Sequence, residues 1–248
     1  MIYRAVLFDL GQTLVQYPAD THGLWRRFLE NRLAAMHGSF CGIAPGVGDD
    51  VTAFVTRAID IMWPERRINM SGRSWHFAKR LRAILDACGG GEVGDAGVER
   101  LTDLFYEPIG EATRRYPETL EGLEALRAAG VRMAIISNAP WDVPGRLLVR
   151  DMERCGIAGF FDATVFSGDV PWRKPNPEFM WEAARRLEVK PGECLVVGDS
   201  LRADIAGARA AGIRCAWVKR GATEVADDDP QPDEIVVSLS ELSVLKRR

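Results

Sequence analysis

The sequence predicts an α/β fold: a three-layer, Rossmann-like parallel sheet with an all-helical insertion placed just after its first strand. Three observations predict it. A β-like apolar run, Ala5–Phe8, stops at Asp9. The stretch that follows, to about Ala112, carries helical apolar spacing and little strand signal. Beyond it a helix–glycine–strand phrase recurs, with Val- and Ile-rich strands that lack polar alternation, as in a parallel sheet covered on both faces.

In chain order, Gly11 and the residues to Pro18 read as turn and loop. A first helix carries Leu24, Phe28 and Leu33. A second follows Asp49 or Asp50 as N-cap and shows Val51, Phe54, Val55, Ala58, Ile59 and Met62. A third carries Trp75, Ala78, Leu81 and Leu85, and a fourth Val98, Leu101, Leu104, Phe105 and Ile109. Glycine-rich breaks at 42–48 and 89–94 separate them. The α/β part then reads as helix Leu120–Ala129, Gly130 and strand Val131–Ile136; a short strand Ala163–Phe166; helix Pro177–Leu187 and strand Cys194–Val197; helix Ile205–Ala211, Gly212 and strand Cys215–Val218. A strand and helix over Ile235–Leu245 close the chain, after an acidic loop at Asp227–Asp233. The expected division is a core of residues 1–17 and 113–248 and a helical unit of 18–112.

A chain of 248 residues, 47% apolar and 27% charged, has the composition of a globular enzyme. A net charge of −3 with both signs interspersed offers no footprint for nucleic acid or an anionic membrane, so the expected partner is a small molecule. The five cysteines form no CxxC pair, and Cys194 and Cys215 sit in strand-like runs as buried thiols, which favours a reducing cytoplasm. The run before Asp9 is too short for a leader or anchor, and no stretch approaches the ~20 apolar residues of a membrane span. A monomer or homodimer is expected.

Chemistry is expected at the carboxyl ends of the strands, where open parallel sheets bind ligands. Four segments lie there: Asp9-Leu10-Gly11-Gln12-Thr13, Ser137-Asn138, Arg173-Lys174-Pro175-Asn176-Pro177, and Gly198-Asp199-Ser200 with Asp204. Taken singly, each is turn, cap or surface chemistry. Taken together, two carboxylates on neighbouring strand ends can share a hard cation such as Mg²⁺. A lysine and a serine hydroxyl add charge and a donor for an anion.

These four segments resemble, in order and spacing, motifs I to IV of the haloacid dehalogenase-like (HAD) superfamily, and the insertion resembles its C1 cap, the part that sets substrate specificity. The resemblance spans essentially the whole chain. It implies that Asp9 is a nucleophile forming a covalent aspartyl intermediate, and that Ser137 and the backbone N–H of Asn138 bind the transferred phosphoryl group. It implies that Lys174 steadies Asp9 and neutralises transition-state charge, and that Thr13 holds the motif I loop. Asp9, the Gly11 carbonyl and Asp199 would bind Mg²⁺, with Asp204 in a supporting role.

One position departs from the family pattern. Its phosphatases carry a second aspartate, the general acid and base, where this chain has Gly11. Glycine keeps a carbonyl for the metal but loses the proton donor, which is worth about 10²–10⁴-fold in rate. Gln12 cannot replace it, and His76 reads as a helix-surface residue; Arg66, Arg67 and Arg73 lie in the same insertion. The expectation is a phosphatase that is slow, or confined to esters with good leaving groups, and whose alkyl phosphate turnover rises in Gly11→Asp. The alternatives are a 2-haloacid dehalogenase-type hydrolase, metal-independent and similar to S-x-N-x-x-D at motif IV, and a catalytically weak regulatory member that binds phosphate and Mg²⁺. Trp25, Trp63 and Trp75 read as core aromatics of the insertion; Trp141 and Trp172 are candidates for the site entrance.

Overall fold

The computed structural model describes residues 3–18, 24–63, 72–220 and 225–242. Its main sheet has six strands, all paired in parallel: β1 (Ala5–Phe8), β4 (Arg132–Ser137), β5 (Ala163–Phe166), β6 (Cys194–Gly198), β7 (Arg214–Val218) and β8 (Glu234–Val236), in the spatial order β5-β4-β1-β6-β7-β8. β1 lies between β4 and β6, with Phe8 level with both Ile135 and Val197.

Strand side chains alternate between faces, and here both faces are apolar. Val6, Phe8, Met133, Ile135, Leu195 and Val197 point into one core cluster, shared with α5 (Thr119–Ala128) and α6 (Gly145–Arg154). Ala5, Leu7, Ala134, Ile136, Cys194 and Val196 point into another, closed by α7 (Pro177–Arg186) and α8 (Ala206–Ala210). Burial on both sides is why these strands read as unbroken apolar runs.

Four helices, α1 (Leu24–Ile43), α2 (Val51–Met62), α3 (Phe77–Ala87) and α4 (Asp95–Ala112), stand between the first strand and the rest of the sheet. Asp50 caps α2 by accepting the Ala53 N–H at 3.0 Å. Their apolar stripes, including Leu33, Phe54, Leu81 and Phe105, join the first core cluster without a break. Where the chain leaves and re-enters the sheet, β2 (Val15–Gln16) and β3 (Arg114–Arg115) pair antiparallel.

Several elements differ from the sequence reading. Helix α6 was not anticipated: Pro140 and Pro144 precede it, Gly145 opens it and five of its ten residues are charged, yet Leu147, Leu148 and Met152 bury a full face. Helix α3 begins at Phe77 rather than Trp75, because residues 72–74 pair with the loop before Lys174, with Arg73 bridged to Trp172. The helix expected from Ile205 is preceded by a wide turn over Leu201–Ile205. At the C-terminal end a strand is present, but Leu239–Glu241 forms only a short turn, and residues 243–248 lie outside the described set. Gly130 and Gly212 adopt φ of 71° and 70°, the left-handed helix ends expected of them. Cys194 and Cys215 are buried free thiols.

Candidate active site

From β1 the chain builds outward through β4 and β5 on one side, then returns to place β6, β7 and β8 on the other. The order therefore reverses between β1 and β6, and the crevice opens at their carboxyl ends. Asp9 follows β1 directly and Asp199 follows β6 directly, so the topology itself makes the two carboxylates neighbours. Ser137 is the last residue of β4 and is buried; Lys174 comes from the loop between β5 and α7.

Lys174 is the hub. Its ammonium contacts Asp9 Oδ1, donates to the Ile136 carbonyl at 2.8 Å and pairs with Asp204 Oδ1 at 2.6 Å. Thr13 Oγ1 donates to the other Asp9 oxygen at 3.3 Å, and the Asp9 N–H is tied to the Val197 carbonyl at 2.9 Å. Asn138 holds Lys174 through its side chain: Oδ1 accepts the Lys174 N–H at 2.9 Å, and Nδ2 donates to the Lys174 carbonyl at 3.1 Å. Asp204 is fixed reciprocally with Ser200. Its Oδ2 accepts the Ser200 N–H at 3.0 Å, while Ser200 Oγ accepts the Ala203 N–H at 3.2 Å. Gly198 is required by this packing, since a Cβ there would lie 2.3 Å from Asp204 Cγ.

Asp9, Asp199 and Asp204 can each bring one carboxylate oxygen within 4.8 Å of the others. Burial pushes the Asp9 carboxyl up to about 6, with Lys174 opposing the shift and Asp204 adding to it. Asp199 is pushed further, to about 8, by burial and then by the charges of Asp9 and Asp204. Burial alone would lower Lys174, but Asp204 and Asp9 hold it above its ordinary value. Three clustered carboxylates, two of them paired with a single ammonium, leave an excess of negative charge in a largely buried site. An all-oxygen donor set with uncompensated charge suits a small hard dication such as Mg²⁺.

The loop after Asp9 is braced from outside the four segments. Arg220, just beyond β7, donates to the Gln12 carbonyl at 3.3 Å and to the Thr13 carbonyl at 2.8 Å, pairs with Glu118, and stacks its guanidinium on Tyr116 at 3.8 Å. Tyr116 in turn donates to Gln12 Oε1 at 2.7 Å. This clamp holds Gln12 at a φ of 57°, a strained conformation for a non-glycine residue. Neither Arg220 nor the Asn138 side chain was anticipated in these roles; the position of Arg220 at another strand end was the available signal.

The Gly11→Asp expectation meets an obstacle. A Cβ on Gly11 would lie 2.8 Å and 2.9 Å from Cε2 and Cδ2 of Tyr17, a ring that is itself buried. A carboxylate cannot be added there without displacing the ring.

The insertion is fastened to this end of the sheet. Asp142, completely buried at a φ of 55°, accepts both Arg173 Nη1 contacts at 3.1 Å, the Trp75 N–H at 2.9 Å and the Ser167 hydroxyl. His76 is not a helix-surface residue: at a φ of 45° it precedes α3 at the N-cap position, and its Nδ1 meets the Gly168 carbonyl at 3.0 Å. Trp141 packs into the insertion against Trp25, Phe28 and Phe105, and Arg73 lies over Trp172. Trp75 stacks under Arg80, whereas Trp63 is partly exposed. Arg66 and Arg67 fall outside the described residues. Among the described residues, no helix is long and apolar enough to cross a membrane.

A family model described as haloacid dehalogenase-like hydrolase matches residues 3–212. A glyceraldehyde 3-phosphate phosphatase of Methanopyrus kandleri is 38% identical over 237 residues, 93% of this chain and 91% of that protein. A phosphoserine phosphatase of Thermus thermophilus is 35% identical over 249 residues, 97% of this chain and 91% of that protein. Among solved structures, a 2-haloacid dehalogenase from Pseudomonas syringae pv. Tomato superposes with a TM-score of 0.66 at 26% identity, covering 100% of this chain and 99% of the other.

Proposed function

Since the chain belongs to the haloacid dehalogenase-like hydrolase family, we propose that it is a Mg²⁺-dependent phosphatase that hydrolyses small phosphate monoesters through Asp9. The observation that carries this reading is the cluster of Asp9, Asp199 and Asp204, in which Asp9 and Asp204 both pair with the Lys174 ammonium.

In this reading Asp9 attacks phosphorus with a carboxylate oxygen, and the bond from phosphorus to the ester oxygen breaks. Thr13 orients the carboxylate from one side and Lys174 from the other. Lys174 offsets charge on the transferring group, and Ser137 with the Asn138 N–H binds its oxygens. Water then hydrolyses the aspartyl phosphate and frees Asp9. Asp9, Asp199 and the Gly11 carbonyl would hold Mg²⁺, with Asp204 supporting through Lys174. When bound, the ion supplies charge neutralisation for the phosphoryl oxygens.

Gly11 gives the departing group no carboxylic acid, a loss of about 3–5 kcal/mol in barrier for poor leaving groups. The favoured substrates are therefore aryl, acyl or anomeric phosphates. On the same reading α1–α4 form the cap, residues 18–112, over a core of 1–17 and 113–248. The enzyme works in the cytoplasm, as a monomer or homodimer.

The deciding experiment is hydrolysis of p-nitrophenyl phosphate with Mg²⁺, repeated in EDTA and with Asp9→Asn. Activity that needs both the metal and Asp9 supports the reading. Release of halide from a 2-haloacid, unaffected by EDTA, would replace it with the dehalogenase alternative. That alternative must explain why a half-buried carboxylate, Asp199, stands beside the nucleophile.

A further inference from the structure

The place beside Gly11 is filled. The edge of the Tyr17 ring lies only 2.8 Å and 2.9 Å from where the first side-chain atom of any residue at position 11 would stand, too close for both. Contacts that close force something to move, and an aromatic ring moves only as a unit. Tyr17 has little room to do so, being only 6% exposed. Its hydroxyl lies near Tyr106 of α4 and within electrostatic reach of Asp151 of α6. Behind it, the Tyr106 hydroxyl donates to Asp151 Oδ2 at 2.6 Å, and both residues are buried. α4 and α6 are themselves in close approach there, since a Cβ on Gly110 would lie 2.5 Å from Asp151 Oδ1. The ring is thus wedged between the loop that follows Asp9 and a buried polar contact joining the insertion to the core.

We propose that Tyr17 is a specificity-determining residue: its ring occupies the space in which a proton donor at position 11 would stand, and so confines the enzyme to esters whose leaving group departs unprotonated. The inference rests on the phosphatase reading and adds a physical cause to it. Gly11 and Tyr17 are one device, in which the glycine admits the ring and the ring excludes the acid. Restoring an acid therefore requires two changes.

Two measurements test this. The first is a thermal cycle that needs no activity: Gly11→Ala, Tyr17→Val and the double variant. Gly11→Ala should lower Tm by roughly 3–10 °C in the native background, the range expected for overpacking. It should cost little or nothing once Tyr17 is Val. Tyr17→Thr, which lacks both the δ and the ε carbons, serves in its place should the Val variant not fold. The second is the ratio of kcat/KM for glycerol 2-phosphate over p-nitrophenyl phosphate. Gly11→Asp alone should leave that ratio unchanged or lower, whereas Gly11→Asp with Tyr17→Val should raise it by about 10²-fold over Tyr17→Val.

An additive thermal cycle overturns the inference, as does a ratio that rises equally with and without Tyr17 or fails to rise in the folded double variant. A native protein that hydrolyses neither ester overturns the phosphatase reading and this inference with it. Turnover of the aryl ester alongside an additive cycle overturns the inference alone.

Discussion

The carboxylate of Asp204 lies 2.6 Å from the ammonium of Lys174, and both side chains are almost fully buried. The lysine that contacts Asp9 is thus held charged from a second side. The family resemblance implies a supporting role for Asp204, and its carboxylate contacts the Lys174 ammonium and the Ser200 N–H.

Removing that carboxylate should be costly. Asp204→Ala leaves a buried ammonium short of one partner and a Ser200 N–H without its acceptor. Breaking a buried pair on one side costs about 3–5 kcal/mol. The expected result is a clearly lower urea midpoint, with Asp204→Asn losing less because an amide oxygen still accepts from Ser200.

Stability without metal should fall as pH rises. Asp9 and Asp199 are raised to about 6 and about 8, whereas the unfolded chain releases those protons near pH 4. Between about pH 4 and 8 the folded state therefore binds more protons than the unfolded state, and each pH increment through that window lowers stability. A bound dication replaces those protons. Mg²⁺ should accordingly raise Tm more at pH 8 than at pH 6, with about 2.7 kcal/mol of stabilisation at 100 times its Kd. Equal Mg²⁺ shifts at both pH values would contradict the linkage, and Asp199→Asn should shrink the pH 8 shift.

Arg220→Ala should loosen the loop after Asp9. Two carbonyl contacts, the Glu118 pair and the Tyr116 stack are lost together, while Gln12 still carries a strained φ. The expected outcome is a fall in kcat of about 10–100-fold, the scale of a small misplacement of reacting groups. Arg220→Lys should recover little, since a point charge cannot reach two adjacent carbonyls and stack at once.

Asp142→Ala should weaken the fastening of the insertion. The Arg173 guanidinium, the Trp75 N–H and the Ser167 hydroxyl all lose one buried acceptor. A loss of about 3–5 kcal/mol is expected, read by chemical denaturation. Amide exchange should quicken first in residues 72–74, which pair with the loop before Lys174.

The positions of Asp9, Ser137 and Asp199 were legible because each stands where an apolar run ends, and apolar runs mark buried strands; Lys174 was legible from the Lys-Pro-Asn-Pro segment that opens α7. The insertion was legible from 3.6-residue spacing, and the α7 and α8 regions from their flanking glycines and Pro177. Helix α6 was hidden because its charged residues outweigh a three-residue buried face in any local count. Trp75 and His76 were misplaced for a related reason: their non-helical backbone answers to a loop some ninety residues away, visible only in the fold.

Local pattern along the chain thus determined the layered architecture and the roster of charged groups at the strand ends, because burial alternation and strand termination are short-range properties. Tertiary structure alone decided that Arg220 clamps the loop after Asp9, that Asp142 ties insertion to core, and that the Tyr17 ring fills the space beside Gly11. Those contacts join residues distant in sequence or facing across a turn. Their geometry depends on strand order and close packing, which no local window contains.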